Sequence, residues 1–373
     1  MRRGAARKPC APPLPRIRLW KNRERLMPLF SIAASLPLLL TAIAALWGGV
    51  WGILALGTIT VLVFTLDRVL VAGGNPDPET EFPTADWLLV GLGLAHFAVL
   101  ALAVWAVAGG NGLSGVERTL VALSAGLSMG QISHPVAHEL IHRGARAKRR
   151  LGRLIYTSLL FGHHASAHLR VHHVHVATPD DPSSARPGEG FYRYVLRAWP
   201  GAFQAGLRAD SRRYADQPLW QHPYTLYLGG AGALVLAVAI GLGAAGVAAL
   251  LFIAGYAQVQ ILLSDYVQHY GLRRAQRQDG RFEPVGPQHS WNAPHVMSAA
   301  MTLNAPRHSD HHVTPHRPYP ALQLDRTSMP TLPQSLPVMA VLALVPPLWR
   351  RVMDRRAACW RESSGGMAPD LAG

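Results

Sequence analysis

The sequence predicts an all-α protein embedded in a membrane as a bundle of about six transmembrane helices. Its 373 residues are 49% hydrophobic and only 15% charged, with a mean hydropathy of +0.13. Soluble domains carry about 25% charged residues. Several apolar stretches are long enough to span a bilayer, and many of the 18 histidines lie close to the ends of these stretches.

The predicted spans follow from the roughly 20 mainly apolar residues that a membrane helix requires. The candidates are 28–47, 50–70, 87–108, 117–137, 224–244 and 246–266. The first two meet at Gly48 and Gly49, which predicts a tight hairpin, and the last two meet near Gly241–Gly246. The apolar stretch 335–348 is too short to span, so we expect it at the interface or docked against the protein.

These spans divide the chain into three predicted regions. Residues 1–26 form a basic cytoplasmic segment, 27–325 the membrane domain, and 326–373 a C-terminal interfacial helix and tail. A signal peptide is disfavoured because the apolar stretch from Leu26 to Trp47 is long enough to be retained as a helix.

The net charge of +15 is explained by membrane topology. An even number of spans places both termini on one side, and the basic N-terminus and the basic stretch 143–153 fall on that side, although the acidic stretch 75–86 does too. Lys and Arg mark cytoplasmic loops. We therefore expect a multi-pass protein of a bacterial-type inner membrane with both termini in the cytoplasm, and no nucleic-acid partner.

The two cysteines, Cys10 and Cys359, are far apart, and neither has a CxxC partner. This disfavours a disulfide scaffold, a zinc ribbon, a Cys-ligated iron–sulfur cluster and a fused rubredoxin.

The histidines form three boxes and one isolated addition. The first box is His138–His142, the second His168–His173 and the third His308–His312, and the isolated residue is His269. An i, i+4 spacing places two rings on the same face of a helix. On the predicted topology all four groups lie at the same membrane face. The candidate ligands are His138, His142, His168, His172, His173, His269, His308, His311 and His312.

This pattern favours a metal site, since neutral imidazole suits Fe, Zn, Cu and Ni. Nine rings exceed what one ion can bind, so two ions are indicated. Glu139 and Asp310 are expected to accept hydrogen bonds from the free ring N–H groups, with His163 in a similar supporting role. His96, His222 and His295 are interpreted as structural or surface residues. No ligand role is assigned to His134, His164, His175 and His316.

Two other classes fit part of the pattern. His138–His142 matches HExxH, the zinc-protease signature with Glu139 as general base, but a protease leaves the other boxes unexplained. A metal carrier or transporter places its ligands near the bilayer midplane, whereas these gather at one end.

Five segments together carry a resemblance to a known family. They are His138–Arg143 (HELIHR), His168–Ser184 (HLRVHHVHVATPDDPSS), Asp265–Leu272 (DYVQHYGL), His289–Asn292 (HSWN) and Arg307–His312 (RHSDHH). Together they resemble the membrane alkane 1-monooxygenases (alkane omega-hydroxylases) within the fatty-acid desaturase and hydroxylase superfamily. The resemblance covers roughly residues 60–325, and its HxxxHH second box differs from the HxxHH of desaturases.

The sequence also departs from this family. Ala167 and Gln268 stand where the family usually has Glu, and Leu169 and Val171 stand where it has Asn and Gly. No histidine of the boxes is lost.

The resemblance implies a non-haem centre of two iron ions that uses O2 to convert the terminal methyl of a medium-chain alkane to a primary alcohol. It also implies a rubredoxin-type electron donor with its NAD(P)H-dependent reductase, and a supporting role for Asp265 and Gln268 beside the ligands. A fatty-acid or lipid desaturase or hydroxylase of the same superfamily remains the alternative.

Two further sets of residues are expected to serve the substrate and the donor. Ile59 and Val63, before Asp67 on the second span, are candidates for setting the depth of an apolar channel. A basic rim is a candidate dock for an acidic donor, although the positive-inside bias explains it equally well. The rim comprises Arg143, Arg146, Lys148, Arg149 and Arg150.

Overall fold

The computed structural model describes residues 18–19, 26–72 and 74–363. The regular elements in these residues are helices, apart from a two-residue parallel pairing of Arg18–Leu19 with Val71–Ala72. The predicted all-α class is confirmed. The predicted N-terminal segment 1–26 lies almost wholly outside the described residues, as does the tail beyond 363.

The first half of the chain supplies three long apolar helices and a fourth that leads to the site. These are α1 (Leu26–Trp47), α2 (Val50–Val69) and α3 (Pro83–Val107), then α4 (Gly115–Ser128), which runs through a π turn into α5 (His134–His142).

Four segments then surround the histidines. They are α6 (Arg146–Ser158), α7 (His163–Ala167) with the π turn His168–His172 that follows it, α8 (Phe191–Arg213) and the long apolar α9 (Pro223–His269).

The remaining helices are short or lie against the end of α9. They are α10 (Val296–Met301), α11 (His308–Val313), α12 (Leu336–Ala343) and α13 (Pro346–Ser363).

Four helices of the described chain, α1, α2, α3 and α9, are long and apolar enough to cross a membrane. A backbone that crosses a bilayer must satisfy its own hydrogen bonds, which a helix does. These helices are those of a membrane protein.

The hairpin between α1 and α2 is formed as predicted. Gly48 and Gly49 have φ angles of 63° and 58°, a left-handed conformation that glycine adopts without steric cost. The Gly49 N–H donates to Glu117 Oε1 at 2.7 Å. Glu117 also completes a capping box with Ser114, so the hairpin is tied to the start of α4.

Helix α9 consists of two helices joined at Gly243. There φ is 62° and ψ is −160°, a region that is essentially restricted to glycine. The break falls where the sequence predicted a junction between two apolar stretches, near Gly241–Gly246.

The C-terminal helix α13 docks on the end of α9 that carries the histidine. Trp349, Met353 and Ala357 are buried at i, i+4 and i+8, the spacing of one helical face. The Trp349 ring lies 5.2 Å from that of Tyr270, which follows His269. Helix α12, in the stretch predicted to be interfacial, leaves Val341 67% exposed.

We predict that Gly243→Ala lowers the free energy of unfolding by about 1–3 kcal/mol, the usual cost of such a backbone conformation for a residue with a Cβ. Gly241→Ala is the matched control, because a Cβ would meet open space at both positions but only Gly243 has a positive φ. The measurement is denaturant unfolding in detergent. Equal effects of the two substitutions would contradict the strained junction.

Candidate metal centre

The nine histidines singled out in the sequence converge in two groups. Within each group the candidate ligand atoms lie within 4.8 Å of one another. The five-histidine group is His138, His142, His168, His173 and His311, and the four-histidine group is His172, His269, His308 and His312.

Helix α5 contributes to one group only. His138 and His142 are one turn apart, and both rings belong to the five-histidine group. Here the i, i+4 expectation agrees with the geometry.

The rings of the second box divide between the two groups. The i, i+4 spacing pairs His168 with His172, yet His168 and His173 share the five-histidine group, with their Nε2 atoms 2.9 Å apart. His172 belongs to the other group. The cause is the π turn His168–His172, whose i→i+5 pattern brings residues five apart to one side.

The third box serves both groups. His308 and His312 lie one turn apart on α11, with Nε2 atoms separated by 3.2 Å, whereas His311 faces His173 with an Nε2–Nε2 distance of 3.1 Å. His269, at the end of α9, approaches His308 at 3.0 Å. The two groups are therefore joined through a single helical turn of α11.

Most of the nine rings are buried, which favours the uncharged form that binds metal. The exception is His172, because Asp181 raises its pKa above the ordinary value despite burial. Burial holds the pKa values of His168, His311 and His312 well below the ordinary value. Charged imidazoles so close together would repel one another, whereas neutral ones offer lone pairs to a common centre.

The donor atoms fit metal ions. His138 Nε2 and His172 Nε2 are buried without a hydrogen-bond partner, although buried polar atoms are normally satisfied. Contacts between Nε2 atoms span 2.9 to 3.2 Å. Metal–nitrogen bonds of about 2.1 Å at right angles put neighbouring ligands about 3.0 Å apart.

Asp181 supports His172 and was given no role from the sequence. Its Oδ2 atom accepts from His172 Nδ1 at 2.8 Å and from Ser184 Oγ at 2.7 Å. Burial alone would raise the pKa of the Asp181 carboxyl, but His172 and these hydrogen bonds hold that pKa below its ordinary value. Because Nδ1 carries the shared proton, Nε2 of His172 is left to face its group.

The carboxylates expected to support the rings have other partners. Glu139 pairs with Arg143 at 3.2 Å and accepts from the Tyr319 N–H at 3.3 Å, and burial raises its pKa to about 7. Asp310 pairs with Arg317 and accepts from the Gln323 N–H at 2.8 Å. The described partners of Glu139 and Asp310 come from residues 317–323 and from Arg143, and the supporting roles expected of these two carboxylates stay predictions.

The other residues expected near the ligands are placed as follows. Asp265 is buried and interacts electrostatically with His172. Gln268 accepts from Ser264 Oγ and donates to the Ala305 carbonyl. His163 lies outside both groups and packs against the rings of Trp199 and Phe203.

The remaining histidines lie outside both groups. His96 is hydrogen-bonded to Ser158, and His134 is hydrogen-bonded to Tyr156. The His164 ring stacks on Phe161. The others left out of the groups are His175, His222, His289, His295 and His316.

A small cavity touches both histidine groups. Its wall contains His138 and His311 from one group and His308 from the other. Ile59 and Val63 are buried in the apolar core and do not line this cavity.

The predicted basic rim is partly neutralised within the protein. Arg143 contacts Asp86 at 3.3 Å, and Lys148 pairs with the same carboxylate. Arg149 donates to the Arg143 carbonyl at 3.0 Å. Arg146 and Arg150 are exposed.

The fold and the site define a membrane protein with a histidine-rich metal centre. A family model described as fatty acid desaturase matches residues 117–342. The chain is 34% identical over 307 residues to alkane 1-monooxygenase 1 of Pseudomonas aeruginosa, which covers 77% of each protein.

Two further relatives widen this comparison. The alkane 1-monooxygenase of Ectopseudomonas oleovorans is 31% identical over 328 residues, 84% of this chain and 80% of that protein. A xylene/toluene monooxygenase hydroxylase component of Pseudomonas putida is 25% identical over 319 residues, 81% of each. The chain belongs to the fatty acid desaturase family and, within it, to the alkane 1-monooxygenases.

We predict that Asp181→Asn weakens metal binding by about 10- to 100-fold, the usual effect of losing the partner that orients a ligating imidazole. Asp180→Asn is the matched control, since Asp180 is the exposed neighbour. The measurement is metal content after titration with a chelator of known affinity. Equal metal retention by the two variants would remove the role assigned to Asp181.

Proposed function

We propose that this chain hydroxylates the terminal carbon of alkanes to primary alcohols at a centre of two iron ions. The observation that carries the proposal is the convergence of nine histidines into two adjacent groups in a member of the alkane 1-monooxygenase family. The relatives' names supply the substrate class and the monooxygenase reaction.

Iron is favoured by the number of imidazoles. Structural zinc sites are almost always four-coordinate, and catalytic zinc sites keep three protein ligands, whereas one group here offers five rings. In such a centre, iron supplies the reduction of O2 and the oxidation of a C–H bond. A zinc protease is disfavoured because Glu139 is paired with Arg143 instead of standing free as a general base.

The chain's own residues prepare the centre. Burial favours the neutral form of imidazoles such as His168, His311 and His312, and Asp181 fixes a proton of His172 on Nδ1. The polypeptide excludes bulk water, since most of the nine rings are buried and the rest half-buried. Cavity-lining side chains orient the substrate, which has no polar group by which to be held.

We predict close to two irons per purified chain, with little zinc. His168→Ala should lose iron, because its Nε2 atom contacts those of both His142 and His173. His175→Ala should keep it, because His175 belongs to neither group. Elemental analysis measures both. Loss of iron from the His175 variant alone would show that the second box is aligned in the wrong register.

The electron donor is proposed to be a soluble rubredoxin-type protein with its NAD(P)H-dependent reductase. The chain has only two cysteines, too few to hold an iron–sulfur centre ligated by four thiolates. We place the histidine centre and both termini on the cytoplasmic side of a bacterial-type inner membrane, with about six spans. The two halves of α9 and the stretch 117–137, which runs through α4 into α5, complete that number.

We predict that inside-out membrane vesicles convert octane to 1-octanol when rubredoxin, its reductase and NADH are added outside. Right-side-out vesicles should not, because the donor cannot reach the centre. Gas chromatography measures the products, and omission of rubredoxin is the control.

Other results would point elsewhere. An alkene from a fatty acyl chain, without alcohol from octane, would indicate the desaturase alternative. Activity confined to right-side-out vesicles would reverse the proposed topology.

A further inference from the structure

The small cavity beside the histidines is lined in part by the loop 302–305. Besides Pro135, His138 and Glu139 of α5, the wall is formed by Thr302, Leu303, Ala305, His308, His311 and Leu322. Since the cavity touches rings of both groups, a carbon atom placed in it lies beside His138, His308 and His311. The residues opposite the rings decide how far such an atom can advance.

The loop adopts a backbone conformation that side chains rarely accept. Leu303 and Asn304 have φ angles of 52° and 57°, in the left-handed region that glycine usually occupies. Two consecutive residues with a Cβ incur a steric cost there, and such strain persists only where the surroundings over-determine it. The strained turn holds the buried Leu303 side chain in the cavity wall.

Several hydrogen bonds hold this turn. The Asn304 N–H donates to the Ala299 carbonyl at 2.7 Å, and Asn304 Nδ2 donates to the Tyr319 carbonyl at 2.8 Å. Gln268 Nε2 donates to the Ala305 carbonyl at 3.0 Å. The last bond joins the loop to α9 at the residue before His269.

The Gln268 contact gives a physical meaning to a departure from the family pattern. An amide has N–H donors, whereas an ionised carboxylate only accepts. A glutamate at position 268 could accept from Ser264, as Gln268 does at 2.8 Å, but it could not donate to the Ala305 carbonyl. In this chain the amide therefore fixes the loop relative to the histidine-bearing end of α9.

We propose that Leu303 is the specificity-determining residue that stops the substrate with its terminal carbon beside the histidines, and that Gln268 and Asn304 are positioning residues that hold Leu303 in place. The inference rests on the proposed alkane hydroxylation and adds the residue that directs hydroxylation to the terminal carbon. With Leu303 shortened, the chain slides further and an internal carbon reaches the centre.

The first test compares the alcohols that wild type and Leu303→Ala form from octane. The ratio of 1-octanol to 2-octanol should fall about tenfold or more, because one methylene in an apolar pocket changes selectivity by about 10- to 200-fold. An unchanged ratio in an active, iron-containing Leu303→Ala protein would overturn the inference. Failure of wild type to form any octanol would instead contradict the proposed function.

Two variants separate selectivity from stability. Leu332→Ala removes an equally buried leucine that does not line the cavity, so the alcohol ratio should stay at the wild-type value. Gln268→Met keeps the length of the side chain but removes its donor, and should shift the ratio in the same direction as Leu303→Ala. A wild-type ratio in Gln268→Met would refute the positioning role, since loss of stability alone does not change where a chain is hydroxylated.

A measurement without turnover covers the case in which Leu303→Ala does not fold. Octane carrying a terminal diazirine is photolysed with the wild-type protein in the absence of electrons, and the labelled residues are mapped by mass spectrometry. Labelling should fall within 302–305 and at Leu322, and excess octane should compete it away. Labelling confined to other segments would overturn the placement of the chain terminus.

Discussion

The structure depends on the burial of closely packed imidazoles whose Nε2 atoms face one another at about 3 Å. Outside a metal centre such an arrangement is unfavourable, because each neutral ring has one donor and one acceptor nitrogen, and buried atoms such as His138 Nε2 are left without a partner. Once the lone pairs share an ion, the same arrangement becomes stabilising, and metal-binding energy becomes folding energy. The helices must therefore hold the rings in register, because the rings alone do not stabilise the arrangement.

The register of a few helical segments determines which of the two groups each of the nine rings joins. His138 and His142, one α-helical turn apart, belong to the same group. The π turn assigns His168 and His172 to different groups, and α11 contributes His311 to one group and His308 and His312 to the other. The spacing of histidines along the chain is local information, so the sequence was sufficient to predict the nine residues that converge. It could not predict how they divide, because the π turn at His168–His172 depends on hydrogen bonds that the surrounding helices select.

The distinction between local spacing and contacts made by distant segments also explains which other features could be predicted from the sequence. The glycine hairpin and the junction in α9 were predictable because a positive φ has a direct signature in residue type. The hydrogen-bond partners of Glu139 and Asp310 were not predictable, because Tyr319 and Gln323 come from a later segment without regular spacing. Asp181 lies only nine residues after His172, yet it was missed since its role requires the turn that brings its carboxylate back to the ring.

The two positions that lack the family's glutamate make sense in terms of contacts. At Ala167 the backbone is approached by Gly206 of α8, where an added Cβ would lie 3.1 Å from the Ala167 nitrogen, so the small residues allow α8 to pack closely behind the second box. At Gln268 the amide donates to a carbonyl, which a carboxylate cannot do. Both departures thus replace a charge beside buried neutral rings with a packing or hydrogen-bonding contact. An uncharged neighbourhood lowers the cost of desolvation, and it leaves Asp181 and Asp265 as the carboxylates closest to His172 in the described interactions.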